Sequence, residues 1–303
     1  MEYVLKTENI SKVYGKHRAV NLISMHIKRG AIYGFIGKNG AGKTTFMRMV
    51  AGLAAPTEGS MELFGSKNLE RQRKRVGTLI EQAGVYHSMT AKENLEIIRR
   101  SLGIAEKKSV NEMLAFVGLG ETGKKKVKDF SMGMKQRLGI AISLLCNPDF
   151  LILDEPINGL DPEGIREIRE LLLKLNREKG ITILISSHIL GELSKIATHY
   201  GIIRDGSLIE EFEAGDLQER CRRCQKIIVD NDELAVSLLE EKLNIHNYDV
   251  PGQGMIRVFE SFTLQEQINR ELILGGVNIK ESYMAGQDLE GYFMDLLGGG
   301  NDV

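Results

Sequence analysis

The stretch GKNGAGKT, residues 37–44, stands between an apolar run, AIYGFI (residues 31–36), and an amphipathic one, KTTFMRMVAGL (residues 43–53). Its spacing is G-x-x-x-x-G-K-T, and it lies where such a loop must lie, after a strand and at the mouth of a helix. The glycines let successive backbone N–H groups curl around phosphate oxygens, and the helix N-terminus adds its positive end. Gly37, Lys38, Asn39, Gly40, Ala41, Gly42 and Thr45 would wrap the phosphates, Lys43 would reach the β- and γ-phosphates, and Thr44 would hold Mg2+. The loop points to a nucleoside triphosphate. It does not choose among the many chemistries that use one.

Outward from the loop, FLILDEP (residues 150–156) is an apolar strand delivering Asp154 to its carboxyl end. There Asp154 can bind Mg2+ or its water, and Glu155, on the other side of the chain, can polarise an attacking water. The plain alternative is an acid pair at a helix N-terminus. A third buried strand is expected in ITILIS (residues 181–186). Between these strands Asp161-Pro162 reads as an N-cap followed by proline at N1, and Ile165, Ile168, Leu171, Leu172 and Leu175 give one helical stripe. Residues 85–147 read as mostly helical, with Thr90 and Glu93 forming a capping box, which suggests a helical subdomain inserted into an α/β sheet. The lysine-rich GKKKVKD (residues 123–129) reads as a solvated loop.

Composition narrows the class. Forty Lys and Arg against 41 Asp and Glu leave a net charge of −1, so no basic field points to nucleic acid. Three cysteines in 303 residues make no disulfide framework, and a reducing compartment is the natural expectation. Cys221 and Cys224 form a C-x-x-C without a second pair, weaker for zinc than for two reduced thiols. No secretory or transit pattern is expected at the N-terminus, and no apolar run approaches the roughly 18 residues a membrane span needs.

The character changes after Gly215. QKIIVD, ELAVSLLEEKLN, IHNYDV, GMIRVFE, TLQEQINRELILGG and VNIKESYM read strand, helix, strand, strand, helix, strand, with Pro251-Gly252 turning between the middle strands. That order suggests a small ferredoxin-like domain over residues 216–303.

With these pieces in place the chain resembles the ATP-binding cassette (ABC) ATPases. DFSMGMKQR (residues 129–137) is similar to their signature motif, NGLDP (residues 158–162) to their D-loop, and ISSHIL (residues 185–190) to the segment carrying the switch histidine, here His188. Tyr14 matches the aromatic that stacks on adenine. The resemblance covers residues 1–215 and implies a P-loop NTPase (RecA-like) core with an antiparallel β subdomain and an inserted helical subdomain. It also implies a head-to-tail dimer, homodimeric or heterodimeric, in which Ser131, Met132, Gly133 and Met134 act on the ATP of the partner subunit and Asp161 couples the two sites. The signature departs from the common pattern of two adjacent glycines and a glutamine; Met132 and Met134 read equally well as core residues.

The same resemblance gives a role to VGTLIEQAG (residues 76–84). The family carries a glutamine at the end of this strand, touching Mg2+ and the attacking water, and the apolar run aligns that position with Glu81; a one-residue shift would give it to Gln82. Glutamate there resembles the subset that protects bacteria against lantibiotics and bacitracin-like peptides. The expectation is an ATPase at the cytoplasmic face of the cell membrane that hydrolyses ATP with Mg2+ and drives export of a peptide or similar amphiphile through a separate membrane-spanning permease. The alternatives are a soluble ABC ATPase without a membrane partner, which would usually carry two cassettes or a long coiled coil, and a transporter subunit for an unrelated substrate. A P-loop GTPase fits poorly, because DPEG (residues 161–164) has no N-K-x-D to accompany it.

Overall fold

The computed structural model describes residues 2–81, 84–106, 108–216, 224–252, 254–260, 264–285 and 292–293. The chain divides into two compact units, Met1–Ala214 and Gly215–Asp295.

The first unit is built on two sheets. Strands β1 (Tyr3–Tyr14), β2 (His17–Ile23) and β3 (His26–Lys28) form an antiparallel sheet in the order β2-β1-β3, with β5 (Glu58–Leu63) also pairing with β1. The second sheet has six strands and contains β4 (Ile32–Ile36), β6 (Val76–Leu79), β7 (Phe150–Leu153), β8 (Thr182–Ser187), β9 (His199–Arg204) and β10 (Ser207–Glu213), in the order β10-β9-β4-β8-β7-β6. All its pairings are parallel except β10 with β9. Strands β4, β7 and β8 are buried along their whole length. That is why they read as continuous apolar runs: a parallel strand covered on both faces has no polar side to show.

Helix α1 (Lys43–Ala51) lies between the two sheets, with Phe46, Met47, Met49 and Val50 in one core with Val4, Ile27, Phe35, Phe150 and Leu184. Gly52 ends it in the left-handed conformation at φ 85°, where a side chain would be strained. Tyr33 on β4 is fully buried and donates to Glu211 of β10 at 2.7 Å; burial pushes its pKa well above the ordinary value.

After the short α2 (Leu69–Arg73) and β6 comes the helical segment: α3 (Ala91–Ser101), α4 (Lys108–Phe116) and α5 (Met132–Leu144). The capping box at Thr90 and Glu93 is formed, with Oγ1 accepting from Glu93 N and Oε2 accepting from Thr90 N at 2.7 Å. The far end of α5 returns to the six-stranded sheet, where Gly77 of β6 meets the backbone of Ser143 so closely that a Cβ would overlap its carbonyl oxygen. Helices α6 (Pro162–Lys179) and α7 (Leu190–Leu193) complete the unit; α6 buries Ile168, Leu171, Leu172 and Leu175.

The second unit runs β11 (Cys224–Val229), α8 (Asp232–Leu243), β12 (Tyr248–Gly252), β13 (Met255–Val258), α9 (Gln265–Leu274), β14 (Ile279–Ala285). Its antiparallel sheet has the order β12-β13-β11-β14, a split βαβ topology. Its core joins Ile227 and Val229 of β11 to Leu239 of α8 and Ile268 and Leu272 of α9. One local expectation changes. Pro251 and Gly252 belong to β12 rather than to a turn, and the reversal comes at Gly254, with φ 73°. Strand β12 is an edge strand, where proline's missing N–H need cost no ladder hydrogen bond. Cys224 is buried on β11, whereas Cys221 lies outside the described residues.

Candidate active site

Four neighbouring parallel strands, β4, β8, β7 and β6, end on one edge of the sheet, where open α/β sheets place their ligands. β4 leads into the phosphate loop, β7 into Asp154 and Glu155, β8 into His188, and β6 into Glu81. The loop takes its shape from Gly40 at φ 82° and Gly42 at φ 105°. Gly42 is also pressed against the backbone, because a Cβ there would overlap the carbonyl oxygen of Ala19.

Lys43, with only 6% of its side chain exposed, folds across this loop. Its Nζ donates to the carbonyl of Gly37 at 2.6 Å and lies 3.4 Å from Oε1 of Glu155. Thr44 Oγ1 donates to Oδ2 of the buried Asp154 at 2.7 Å. Glu155 adopts φ 49°, an uncommon conformation for a residue with a side chain. Oε2 of Glu155 meets His188 Nδ1 at 2.8 Å, while its buried Oε1 has no hydrogen bond. A carboxylate only accepts, so Nδ1 carries the proton in that contact, and Nε2 donates only when the ring is an imidazolium.

Ser186 was not singled out by its sequence, yet it ties this edge together. Fully buried on β8, it donates from Oγ to Asp154 Oδ1 at 2.6 Å and accepts from Glu155 N at 2.8 Å. Ser186→Ala would leave a buried carboxylate oxygen and a backbone N–H unpaired, a loss of about 1–3 kcal/mol. The expected result is a lower melting temperature together with roughly tenfold slower ATP hydrolysis, since positioning residues act on geometry. An unchanged rate would show that Asp154 and Glu155 need no such tether.

Tyr14, 47% exposed at the end of β1, lines a cleft of about 290 Å3 together with Asn39, Gly40, Lys43, Thr44 and Glu155. His17 lines the same cleft, and no motif marks it; the pairing of β1 with β2, Tyr14 opposite His17, puts it there.

The remaining motif residues gather elsewhere. Ser131 caps α5, its Oγ accepting from Met134 N at 3.3 Å, and Met132 is 51% exposed while Met134 is half-buried. Neither methionine is a core residue. Gly133 and Met132 face Gly164 and Gly159, so the start of α5 adjoins the segment that Asp161 caps, with Oδ1 accepting from Gly164 N at 3.1 Å. None of Ser131, Met132, Gly133, Met134 or Asp161 lines the cleft of its own chain. Glu81, at φ 65°, turns its carboxylate to Arg48 of α1, 2.5 Å away; Gln82 lies outside the described residues.

A phosphate loop joined to an acid pair and a histidine at the carboxyl edge of a parallel sheet defines a P-loop NTPase. A family model described as "ABC transporter" matches residues 20–158. The bacitracin transport ATP-binding protein BcrA of Bacillus licheniformis is 44% identical over 303 residues, covering 99% of each chain. The lantibiotic transport ATP-binding protein SrtF of Streptococcus pyogenes is 45% identical over 210 residues, 69% of this chain and 91% of SrtF. Among solved structures, the dimeric post-hydrolysis state of the ATP-binding cassette MJ0796 bound to ADP and Pi matches with a TM-score of 0.63 at 27% identity, over 69% of this chain and 98% of that one. The chain belongs to the ATP-binding proteins of the ABC transporter family, and it is an ATPase.

Proposed function

We propose that two copies of this cassette, or one copy and a related cassette, clamp ATP between them and drive peptide export through a separate membrane-spanning permease. Among the described residues no helix is long and apolar enough to cross a membrane. The observation that carries the dimer is that Lys43, Thr44, Asp154, Glu155 and His188 are tied together at one edge, while Ser131, Met132, Gly133, Met134 and Asp161 join none of those contacts and do not line the cleft. An exposed helix start with a serine and a glycine offers a hydroxyl and backbone N–H groups to a phosphate brought by another subunit.

The donor set fits Mg2+. Thr44 and Asp154 present hard oxygens 2.7 Å apart, and among the described residues no three His, Cys, Asp or Glu side chains are placed to hold a metal ion by themselves, so the ATP phosphates would complete the shell. Mg2+ would supply charge neutralisation of the phosphates. Lys43 then neutralises the β- and γ-phosphates, Oε1 of Glu155 accepts the proton of the attacking water, and His188 holds the other carboxylate oxygen. His188, as an imidazolium, would also reach the γ-phosphate, and Tyr14 would stack on adenine.

Glu81 would be a further carboxylate beside the metal. Removing one negative charge from beside a divalent ion at a wet site would cost about 1–2 kcal/mol, so the Mg2+ concentration for half-maximal turnover in Glu81→Gln should rise roughly 5- to 30-fold. Superimposable Mg2+ curves for the two proteins would remove Glu81 from the metal site.

The full-length match to BcrA and the glutamate at position 81 together support a bacitracin-like or lantibiotic peptide as the exported molecule. Co-expressed with its membrane partner in a sensitive bacterium, the chain should raise the bacitracin concentration needed to stop growth. Unaltered sensitivity to bacitracin and to lantibiotics, with ATP hydrolysis intact, would assign the transporter another substrate.

A further inference from the structure

Glu81 has a partner that no phosphate-loop motif includes. Arg48 Nη2 lies 2.5 Å from Glu81 Oε1, and the two side chains are 38% and 59% exposed. Arg48 sits four residues after Thr44 on α1, so both project from the same face of that helix, one turn apart. On the other side, β6 pairs in parallel with β7, Leu79 opposite Leu153, and the carbonyl of Leu79 accepts from Asp154 N at 2.8 Å. Glu81, two residues further on, leaves the same edge of the sheet as Asp154, and its carboxylate is turned to Arg48, one helical turn beyond Thr44. With its backbone at φ 65°, Glu81 would change neighbours by rotating its side chain.

We propose that Arg48 is a positioning residue that holds the Glu81 carboxylate away from the phosphates until Mg2+ arrives, and then surrenders it to the metal. The inference rests on the reading of Glu81 as a metal-side carboxylate. A glutamate at this position has a cost that a neutral amide lacks, because its charge repels ATP whenever the metal is absent. Pairing with Arg48 cancels that charge. An exposed ion pair is weak and opens readily, whereas a divalent cation flanked by phosphates attracts the same carboxylate more strongly. The two partners thus exchange, and Arg48 sets the Mg2+ concentration at which they do so.

The test is binding of a fluorescent ATP analogue to the full-length chain, in EDTA and across a Mg2+ titration, for wild type, Arg48→Gln, Arg48→Lys, Glu81→Gln and the Arg48→Gln/Glu81→Gln double variant. Arg48→Gln should weaken metal-free binding about 3- to 10-fold and lower the half-saturating Mg2+ concentration by a similar factor. Arg48→Lys, which keeps the charge, should restore most of both. With Glu81 already replaced, Arg48→Gln should change neither quantity by more than about twofold, since the coupled charge is gone. An equal loss of metal-free binding in both backgrounds would mean that Arg48 attracts phosphate by itself; that overturns the latch and leaves the metal role of Glu81 standing. No effect of Arg48→Gln in the wild-type background also overturns it. If Glu81→Gln leaves the Mg2+ titration unchanged, the metal role fails and the latch fails with it.

Discussion

Glu155→Gln should yield a protein that binds ATP and turns it over about 10²- to 10⁴-fold more slowly, the usual contribution of a positioned general base. The geometry explains why this substitution separates binding from turnover. Glutamine keeps the shape of the side chain, so the hydrogen bond between Glu155 N and Ser186 survives, as does the turn from Glu155 O to Asn158 N at 3.1 Å. What is lost is the acceptor strength of Oε1, the buried oxygen that no protein donor occupies. Lys43, 3.4 Å from that oxygen, loses a counter-charge and is left more strongly disposed toward the phosphates. ATP affinity should therefore hold or improve. In the proposed dimer, slow hydrolysis traps the ATP-bound state, and size-exclusion chromatography with Mg·ATP should show a species of twice the mass. A monomer under those conditions would count against the two-site arrangement. Near-normal turnover would remove Glu155 from the role of base.

The parts of the site that were legible in the sequence are those whose chemistry is written within one short segment. The phosphate loop needs only its own glycines, Lys43 and Thr44, and the apolar run before it; Asp154 and Glu155 need only the strand that delivers them. Asp161 announces its N-cap by the proline that follows. Ser186 is different. Its role depends on parallel pairing that sets Leu153 of β7 opposite Ile185 of β8 and so brings the next residue of each strand together. No local pattern encodes that register. Arg48 likewise reads as an ordinary helix arginine until β6 is placed beside β7. Glu81, a carboxylate at the end of an apolar strand, escapes the cost of an unpaired buried charge in two ways: it reaches solvent, and Arg48 stands against it. Pro251 shows the opposite failure. Proline followed by glycine is strong turn chemistry, but at a sheet edge a proline fits within a strand, and the reversal moves to Gly254.

Gly42→Ala should abolish nucleotide binding and destabilise the first unit, and a comparison with Gly40→Ala isolates the reason. Both glycines have positive φ, 105° and 82°, so alanine is strained at either position. At Gly40 a Cβ meets nothing within 4 Å, so the penalty is conformational, about 1–2 kcal/mol. At Gly42 the added methyl overlaps the carbonyl oxygen of Ala19 and comes within 3.3 Å of Ile203 Cδ1. Ala19 lies on β2, and β2 is held by β1 through the pairs Lys12–Val20 and Val13–Arg18, so the carbonyl has little freedom to retreat. Overpacking of this kind adds about 1–3 kcal/mol to the backbone strain. The loop must give way instead, and it carries Lys43 and Thr44 as the next two residues, so the Lys43–Gly37 and Thr44–Asp154 hydrogen bonds are disturbed together. The expected result is no measurable binding of a fluorescent ATP analogue and a melting temperature clearly below that of Gly40→Ala, which should retain weakened binding. Equal behaviour of the two variants would show that the positive φ alone, and not the contact between the loop and β2, dictates glycine at position 42.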